Sequence, residues 1–369
     1  ISSDNIFDAT GRLGQSWRHF PAYAWRCLMA HMVRFKDKPD IVYATCPFVV
    51  EAYCARVIAR RLSVPWVMKI QHVLGAQSKR VGFINRMLLW GERKSAKWIN
   101  REAAHVFCLS PSVAKDYEVL EKSLGLKPVK PMVVGSSIDL KQFDILDEDD
   151  KTHDVVFLGR IHELKGVYDL SRVWGLVREK RPGARLVVIG EGPHRAAVQK
   201  QFANIGLKDG VEFTGSIPDK QKNLLLAQAR VGLSLSSEEG WGLAVNEYLA
   251  CGLPVVAYDL PVFREVFPNC LENVPLGDWK KAADQIVELL NNPVRRLDRA
   301  ARDRGGSCGR IEPDQYPCTM CLVIGAYDNF VYVLSADIPI IRHPGGLVIY
   351  RPLTVHVEIL RHCGLRPRC

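Results

Sequence analysis

The sequence lacks any apolar run that approaches the roughly 20 residues required by a membrane-spanning helix. It also lacks low-complexity tracts, and no segment has the charged, apolar and small-residue pattern of a secretory signal peptide. These absences argue against an integral membrane protein and against a disordered one. We therefore expect a folded cytoplasmic protein, with peripheral contact at the cytoplasmic face of a membrane as the alternative.

The composition is that of a globular protein, with 47% apolar and 24% charged residues. A length of 369 residues suffices for two domains of ordinary size. The net charge of +10 favours anionic partners such as nucleotide sugars, phospholipids or nucleic acids, although a solvated basic surface explains it equally well. The basic residues are dispersed and no recognition motif accompanies them, so we expect no nucleic-acid partner.

Eleven cysteines are distributed unevenly along the chain. Six lie in apolar segments, where a reduced and buried thiol is the expectation for a cytoplasmic protein. The other five crowd into the last 62 residues. Cys318 and Cys321 form a Cys-x-x-Cys pair, but the spacing of the remaining cysteines fits no compact zinc site. We predict an atypical, poorly folded tail over residues 306–369, derived from a shifted or fused reading frame, and no metal site.

The first half of the chain alternates predicted strands with predicted helices. Buried strands are predicted over residues 40–44, 65–70 and 105–110, and a helix over residues 49–62. The acidic run at residues 147–150 lies in a polar connection, so we interpret it as a linker rather than as a metal-binding Asp-x-Asp motif. The first domain is therefore predicted to span residues 1–150.

Two stretches of the first domain combine aromatic with basic residues. Residues 1–36 are predicted to form one or two helices packed on the sheet. Residues 80–104 form a predicted helix on which Phe83, Met87 and Trp90 make one stripe. We expect this stripe to pack against the core while the basic face is solvated, with membrane binding as the alternative for both stretches.

The second half repeats the alternation more regularly. Strands are predicted over residues 155–158, 186–189, 211–213, 231–235 and 255–258, with helices between them and over residues 279–291. Strands that alternate with helices in this way predict an α/β fold with a parallel, doubly wound sheet. We assign residues 151–305 to this second domain.

One stretch of the second domain has the features of a phosphate site. A strand up to Leu235 is followed by the loop of residues 236–242 and then by a helix that ends before Gly252. This order directs free N–H groups and the positive end of the helix dipole toward one point. Glu239 in the loop and Glu247 in the helix frame that point, because helical side chains lean toward the helix N-terminus.

Three further side chains stand at predicted strand ends, where open α/β sheets bind ligands. Arg160 and Lys165 follow the first strand of the second domain, where two cations could clamp a diphosphate. Either residue alone would usually face solvent, but their place in the same sheet as a phosphate-suited helix start favours a functional role. His72 follows a strand of the first domain, and a lone histidine at such a place is more often structural than catalytic.

Several sequence pieces occur in a recognisable order. They are Gly159-Arg160, Lys165-Gly166, residues 188–193, residues 213–215, residues 239–243 with Glu247, and residues 250–256. Together they resemble the retaining glycosyltransferases of family four, the glycosyl transferases group 1. The resemblance covers residues 38–300 and implies a GT-B fold, in which two facing Rossmann-like domains enclose a cleft.

The resemblance implies a role for the charged residues at these positions. Arg160 and Lys165 would hold the donor diphosphate and stabilise its charge as it departs. Glu239 would bind hydroxyls of the donor sugar, and Glu247 would accept hydrogen bonds from the ribose. His72 would face the sugar across the cleft. The predicted catalytic residues are thus Glu239, His72, Arg160 and Lys165.

The remaining donor-binding positions implied by the resemblance are less polar. They are Gly190, Gly192, Ile217, Gly242 and Leu243. The N–H groups of Gly242 and Leu243 would take the phosphate from the helix side, and the loop with Ile217 would lie against the base. The acceptor would attack from the side of the departing phosphate, so that the anomeric configuration is retained. No metal and no other cofactor is expected.

The implied activity is transfer of a sugar from a UDP-, GDP- or ADP-linked donor to a glycan or a lipid-linked acceptor. The sequence departs from the family pattern in two places. No strand with a glycine-rich loop precedes residue 40, so the first domain is expected to be truncated, and the tail replaces an expected closing helix. Two alternatives follow, a nucleotide-sugar-binding remnant without turnover and a nucleotide-sugar epimerase of similar fold.

Overall fold

The computed structural model of the chain describes residues 19–35, 38–74, 83–136, 138–207 and 209–298, together with three later strands. These residues divide into two compact units. The first contains the residues up to Ser136 and the three later strands, and the second contains residues 138–298. Residues 138–150, which the sequence assigned to the end of the first domain, pack with the second unit.

The helices and strands follow one another in the order expected for an α/β protein. The helices are α1 (His19–Met32), α2 (Val49–Leu62), α3 (Phe83–Glu102), α4 (Pro111–Ser123), α5 (Val167–Lys180), α6 (Arg195–Asn204), α7 (Asp219–Ala227), α8 (Leu243–Ala250), α9 (Pro261–Val266) and α10 (Trp279–Asn291). The strands are β1 (Ile41–Ala44), β2 (Trp66–Ile70), β3 (His105–Cys108), β4 (Met132–Val133), β5 (His153–Leu158), β6 (Leu186–Ile189), β7 (Val211–Gly215), β8 (Ala229–Ser234), β9 (Val255–Tyr258), β10 (Leu271–Val274), β11 (Val331–Leu334), β12 (Ile340–His343) and β13 (Gly346–Ile349).

The sheet of the first unit has the strand order β11-β1-β2-β3-β4. Strands β1 to β4 run parallel, and β11 pairs antiparallel with β1 at the edge. The apolar runs of β1 and β2 are buried along their whole length, as the sequence predicted for parallel strands covered by helices. Strands β12 and β13 form a separate antiparallel pair. The rest of the predicted tail lies outside the described residues, so its poor folding stays a prediction.

The sheet of the second unit has the strand order β10-β9-β8-β5-β6-β7, and all its neighbouring strands are parallel. One face packs on α5 and α10, with Trp174 and Ile286 fully buried. The other face packs on α8 and α9, with Tyr248 and Phe263 fully buried. This arrangement confirms the doubly wound parallel sheet. It also places the reversal of strand order between β5 and β8.

The prediction for the aromatic stripe of α3 is wrong. Phe83 and Trp90 are 65% and 64% exposed, and Met87 is 38% exposed. The buried face of α3 instead carries small and apolar residues such as Ala96 and Ile99. The reason is close helix packing, because a Cβ added at Gly91 would lie 3.1 Å from Cγ1 of Val49 on α2. Aromatic side chains do not fit between helices that approach so closely.

Two further expectations can be compared with the structure. Among the described helices, none is both long and apolar enough to cross a membrane. Cys54, Cys108 and Cys251 are buried free thiols, as expected for the cysteines in apolar segments. Cys270 departs from that expectation, because it is disulfide-bonded.

Candidate functional site

The reversal of strand order between β5 and β8 is the natural ligand-binding point of the second sheet. In open α/β sheets, ligands bind outside the carboxyl ends of the strands where the strand order reverses. The loop after β5 carries Arg160 and Lys165, and the loop after β8 carries Glu239 and leads to Gly242. The loops after β6 and β7 begin at the same edge of the sheet, because these strands run parallel to β5.

The loop after β5 is held by its own backbone and by a buried histidine. The N–H of Ile161 donates to the carbonyl of Glu191 at 2.8 Å, which ties this loop to the one after β6. His162 is 2% exposed, and its Nδ1 accepts from the N–H of Leu164 at 3.3 Å. This contact caps the single helical turn Glu163–Lys165. Lys165 therefore stands at the end of an anchored turn rather than on a free loop.

The loops after β5 and β8 are joined to each other by main-chain and side-chain contacts. The N–H of Ser237 donates to the carbonyl of Leu164 at 2.9 Å. The ammonium group of Lys165 binds Oε1 of Glu239, and the Ser236 hydroxyl donates to the same oxygen at 2.8 Å. Two predicted catalytic residues, Lys165 and Glu239, thus form an ion pair across the reversal point. Arg160 lies half-buried in the same loop as Lys165.

Two predicted donor-binding glycines are required by the crowding of these loops. Gly190 has φ +135°, and a Cβ at this position would lie 2.0 Å from the carbonyl oxygen of Gly159. The N–H of Gly190 also donates to the carbonyl of Gly215, the last residue of β7, at 3.0 Å. At Gly192 a Cβ would lie 2.3 Å from the carbonyl oxygen of Ile161. At both positions the loop after β6 lies so close to the loop after β5 that there is no room for a side chain. This crowding is a structural reason for glycine.

Gly242 begins helix α8 in a backbone conformation that favours glycine. Its φ is +103°, and a Cβ there would lie 2.6 Å from the ring of Phe263. Leu243, the first residue of α8, is 42% exposed. The first N–H groups of a helix have no acceptor within it, and together with the helix dipole they favour an anion. The structure thus provides the helix start that the sequence predicted for a phosphate.

Glu247 has a partner that the sequence did not reveal. Lys222 on α7 binds Oε1 of Glu247 at 2.8 Å and Oδ1 of Asp219 at 3.2 Å. Burial raises the pKa of the Glu247 carboxyl, and the ion pair with Lys222 offsets this only in part. Burial opposes the charge of Lys222, but its contacts with the carboxylates of Glu247 and Asp219 raise its pKa above the usual value. No sequence motif distinguishes Lys222 from its neighbour Lys220.

Tyr248 is a second residue that sequence reasoning missed. Its hydroxyl accepts from the N–H of Leu158 at 2.5 Å and donates to the carbonyl of Leu233 at 3.2 Å. One phenol therefore ties the end of β5 to β8, the two strands that flank the reversal point. The only sequence signal was its place beside Glu247, one residue further along the helix.

The last two predicted residues have different environments. Ile217, in the loop after β7, is half-buried and packs against the apolar layer that includes α8 and α9. His72 is half-buried and lies two residues beyond β2, at the carboxyl end of a first-unit strand, as predicted. The other site residues all belong to the second unit and gather at the carboxyl edge of its sheet. The roles predicted for Ile217 and His72 stay predictions.

Comparisons with known proteins agree with the predicted family. Residues 139–305 match the family described as Glycosyl transferases group 1. Sulfoquinovosyl transferase SQD2 of Arabidopsis thaliana is 25% identical over 305 residues, which cover 78% of this chain and 56% of that protein. A phosphatidyl-myo-inositol mannosyltransferase of Propionibacterium freudenreichii is 28% identical over 203 residues, or 52% of this chain and 50% of that protein. The chain thus spans about half the length of these curated relatives.

Two solved structures resemble this chain in fold. Anabaena Alr3699/HepE in complex with UDP and glucose has a TM-score of 0.65 at 16% identity, covering 83% of this chain and 82% of that one. The sucrose-phosphate synthase of Thermosynechococcus elongatus has a TM-score of 0.65 at 19% identity, covering 88% of this chain and 78% of that one. These likenesses confirm the predicted fold class.

Proposed function

Because residues 139–305 match the family described as Glycosyl transferases group 1, we propose that this chain is a retaining glycosyltransferase. It moves a sugar from a nucleotide-diphospho-sugar to a glycan or lipid-linked acceptor, without a metal ion. The observation that carries this proposal is the reversal point of the second sheet. The cations Arg160 and Lys165 stand at this edge of the sheet, together with two carboxylates and the start of α8. The carboxylates are those of Glu239 and Glu247.

The positive groups at this edge suit a departing diphosphate. Negative charge grows on the diphosphate as its bond to the sugar breaks, so cations that contact it stabilise the transition state more than the bound donor. Arg160 offers a planar fork of donors, and Lys165 has three N–H bonds, of which one reaches Glu239. The remaining donors of Lys165, together with the N–H groups of Gly242 and Leu243, bind the phosphate oxygens. This set of charges takes the part that a divalent metal plays elsewhere.

The two carboxylates act on the two ends of the donor. Oε1 of Glu239 is held by Lys165 and Ser236, which leaves Oε2 to accept from hydroxyls of the donor sugar. Oε1 of Glu247 is held by Lys222, which leaves Oε2 to accept from the ribose hydroxyls. Each carboxylate is thus oriented by one oxygen and binds the donor with the other.

The proposed stereochemical course is retention. The sugar becomes oxocarbenium-like as the diphosphate leaves, and the acceptor attacks from the side that the diphosphate vacates. The anomeric configuration is therefore retained. The departing phosphate oxygen, held by Arg160 and Lys165, takes the proton of the acceptor hydroxyl.

The first test is calorimetric titration of UDP, GDP and ADP into the full chain and into a Glu247→Ala variant. One of the three nucleotides should bind, and the variant should bind it about tenfold more weakly because a charged hydrogen-bond partner is lost. Glu179→Ala, at an exposed glutamate of α5, is the matched control and should bind like wild type. A chain that is folded by circular dichroism and binds none of the three would overturn the donor site.

A transfer assay separates the enzyme from its alternatives. Single-turnover reactions use a donor labelled in the sugar, with EDTA present, and NMR identifies the anomer of the product. We expect a retained anomer at an unchanged rate in EDTA. Conversion of the donor without an acceptor would indicate an epimerase, and nucleotide binding without any transfer would indicate a binding remnant.

A further inference from the structure

The outward face of helix α3 is an exposed apolar and basic surface in the first unit. The term outward face of α3 refers to eight exposed residues, which are Phe83, Met87, Trp90, Arg86, Arg93, Lys94, Lys97 and Arg101. The opposite face of α3 packs on the unit through small and apolar residues. The aromatic side chains are therefore exposed because the fold directs them outward, while the helix itself is well anchored.

The apolar and basic residues are arranged in sequence along one line of the helix. Phe83, Met87 and Trp90 are spaced by four and three residues, and Lys94 and Lys97 continue the same spacing. The first two turns of this line are thus apolar, and the following turns are basic. A Lys or Arg side chain next to such a stripe can lay its carbon stem on apolar surface while its charge reaches outward.

The positive charges of this face are not neutralised within the described part of the chain. No ion pair among the described residues engages Arg86, Arg93, Lys97 or Arg101. Glu102, at the end of the helix, is instead bound by Arg56 and Arg60 of α2. The face therefore carries a net positive field beside an exposed apolar stripe.

We propose that the outward face of α3 docks on a bilayer that contains anionic phospholipids. Phe83, Met87 and Trp90 enter the boundary between headgroups and acyl chains, and the basic side chains contact the phosphates. The charge arrangement favours lipid over a protein partner, because protein interface cores are depleted of lysine whereas helices at membrane interfaces combine aromatic with basic residues. A lipid surface also satisfies every positive charge of the face at once. None of these residues belongs to the donor site, so the proposal stands apart from the catalytic one.

The test is co-sedimentation of the full chain with vesicles of phosphatidylcholine alone or with about one third phosphatidylglycerol. Wild type should bind the anionic vesicles and not the neutral ones, and its binding should weaken with added salt. Phe83→Ala/Trp90→Ala should bind at least about tenfold more weakly because apolar area no longer enters the bilayer. Lys94→Glu/Lys97→Glu should lose about 25-fold or more, at roughly fivefold per basic residue removed.

Matched controls come from the same unit. Val119→Ser alters an exposed apolar residue of α4, and Lys127→Glu/Lys130→Glu makes the same change in net charge at two exposed lysines. Both controls should bind anionic vesicles like wild type. Circular dichroism should show that every variant is folded.

Three results would overturn the proposal. The first is a folded wild type that does not bind anionic vesicles. The second is an equal loss in the Lys127→Glu/Lys130→Glu control, which would indicate diffuse attraction by the net charge of the chain. The third is a lipid-free dimer that Phe83→Ala/Trp90→Ala dissociates, which would make a second copy of the chain the occupant of this face. Nucleotide titration of the same variants distinguishes failure here from failure of the donor site.

Discussion

Two lysine–glutamate pairs stand in the second unit, and they differ in what holds them. Lys165 and Glu239 lie on two loops, and their side chains are 27% and 16% exposed. Lys222 and Glu247 lie on two helices, and both side chains are 16% exposed. The first pair is joined by loop contacts and a serine hydroxyl, whereas the second is fixed by the packing of α7 and α8.

The difference in support indicates that the two lysine–glutamate pairs serve different purposes. A pair on loops can share its cation with an incoming phosphate, because few packed atoms must move for the lysine to turn. A pair on packed helices keeps its geometry and presents a carboxylate of fixed orientation. We therefore propose that Lys165 acts on the changing charge of the diphosphate, whereas Lys222 holds Glu247 in place.

The largest expected effect is that of removing Lys165, the cation of the pair that lies on the loops. Lys165→Ala should lower the rate of single-turnover transfer between about 100-fold and 1,000-fold, because a charge that acts on the leaving group is lost. Lys200→Ala, at an exposed lysine of α6, serves as the control. A transfer rate within threefold of wild type would remove Lys165 from the mechanism.

Breaking the helix pair should act mainly on stability. Lys222→Met leaves the Glu247 carboxylate without its cation in a mostly buried place, and we expect a loss of about 1–3 kcal/mol in the free energy of unfolding. Urea denaturation measures it. Lys222→Met/Glu247→Gln should recover part of the loss, because no unpaired charge remains. Asp219→Asn is the matched control, since Asp219 is 85% exposed and should contribute little.

A smaller effect is expected on ligand binding, where substitution of Glu239 and substitution of Glu247 should differ in which ligands they weaken. Glu239→Gln should weaken binding of the nucleotide sugar about tenfold and leave binding of the nucleoside diphosphate unchanged, because the proposed role of Glu239 is to bind only the sugar. Glu247→Gln should weaken both ligands, because the ribose is common to them. Calorimetry with each ligand measures the contrast. Equal effects of the two substitutions on both ligands would contradict the division of roles.

The smallest expected effect is a pH dependence of stability that belongs to Glu247. Burial raises the pKa of its carboxyl above the ordinary value of 4.5, so the folded chain keeps this proton to a higher pH than the unfolded chain does. The stability of wild type relative to Glu247→Gln should therefore fall as the pH rises from 4.5 through the raised pKa. Urea titrations at several pH values measure this difference. Parallel curves for the two proteins would show that the carboxyl is not perturbed.

Much of the second unit could be predicted because its strands are continuous apolar runs bounded by glycine or polar residues. Strands β6 and β9 and helices α2 and α10 have the predicted limits. Strand β10 was missed because Glu272 and Asn273 interrupt its apolar pattern, and α9 was missed because it is only six residues long. The β8 strand begins two residues earlier than predicted, a shift that moves no site residue.

The candidate site could be predicted as far as local sequence determines it. Gly242 and the two glutamates lie along one loop and helix after β8, so their proximity can be read from the sequence itself. Lys222 could not be predicted, because it reaches Glu247 through packing between helices that are distant in sequence. The aromatic stripe of α3 was predicted to face the core, and it faces outward, for a related reason. An apolar stripe indicates a face, but which face is buried depends on how closely the neighbouring helix approaches.

The loops at the edge of the second sheet are linked to one another mainly through main-chain atoms, as between Ser237 and Leu164 and between Gly190 and Gly215. A main-chain hydrogen bond survives almost any exchange of side chain, but it does not survive a change in loop length. Substitution of Ile217 should therefore leave these links intact. An insertion between Gly159 and Gly166 would instead displace the turn that these contacts anchor. This edge should therefore tolerate substitutions outside its crowded glycines, such as Gly190 and Gly192, and resist insertions and deletions.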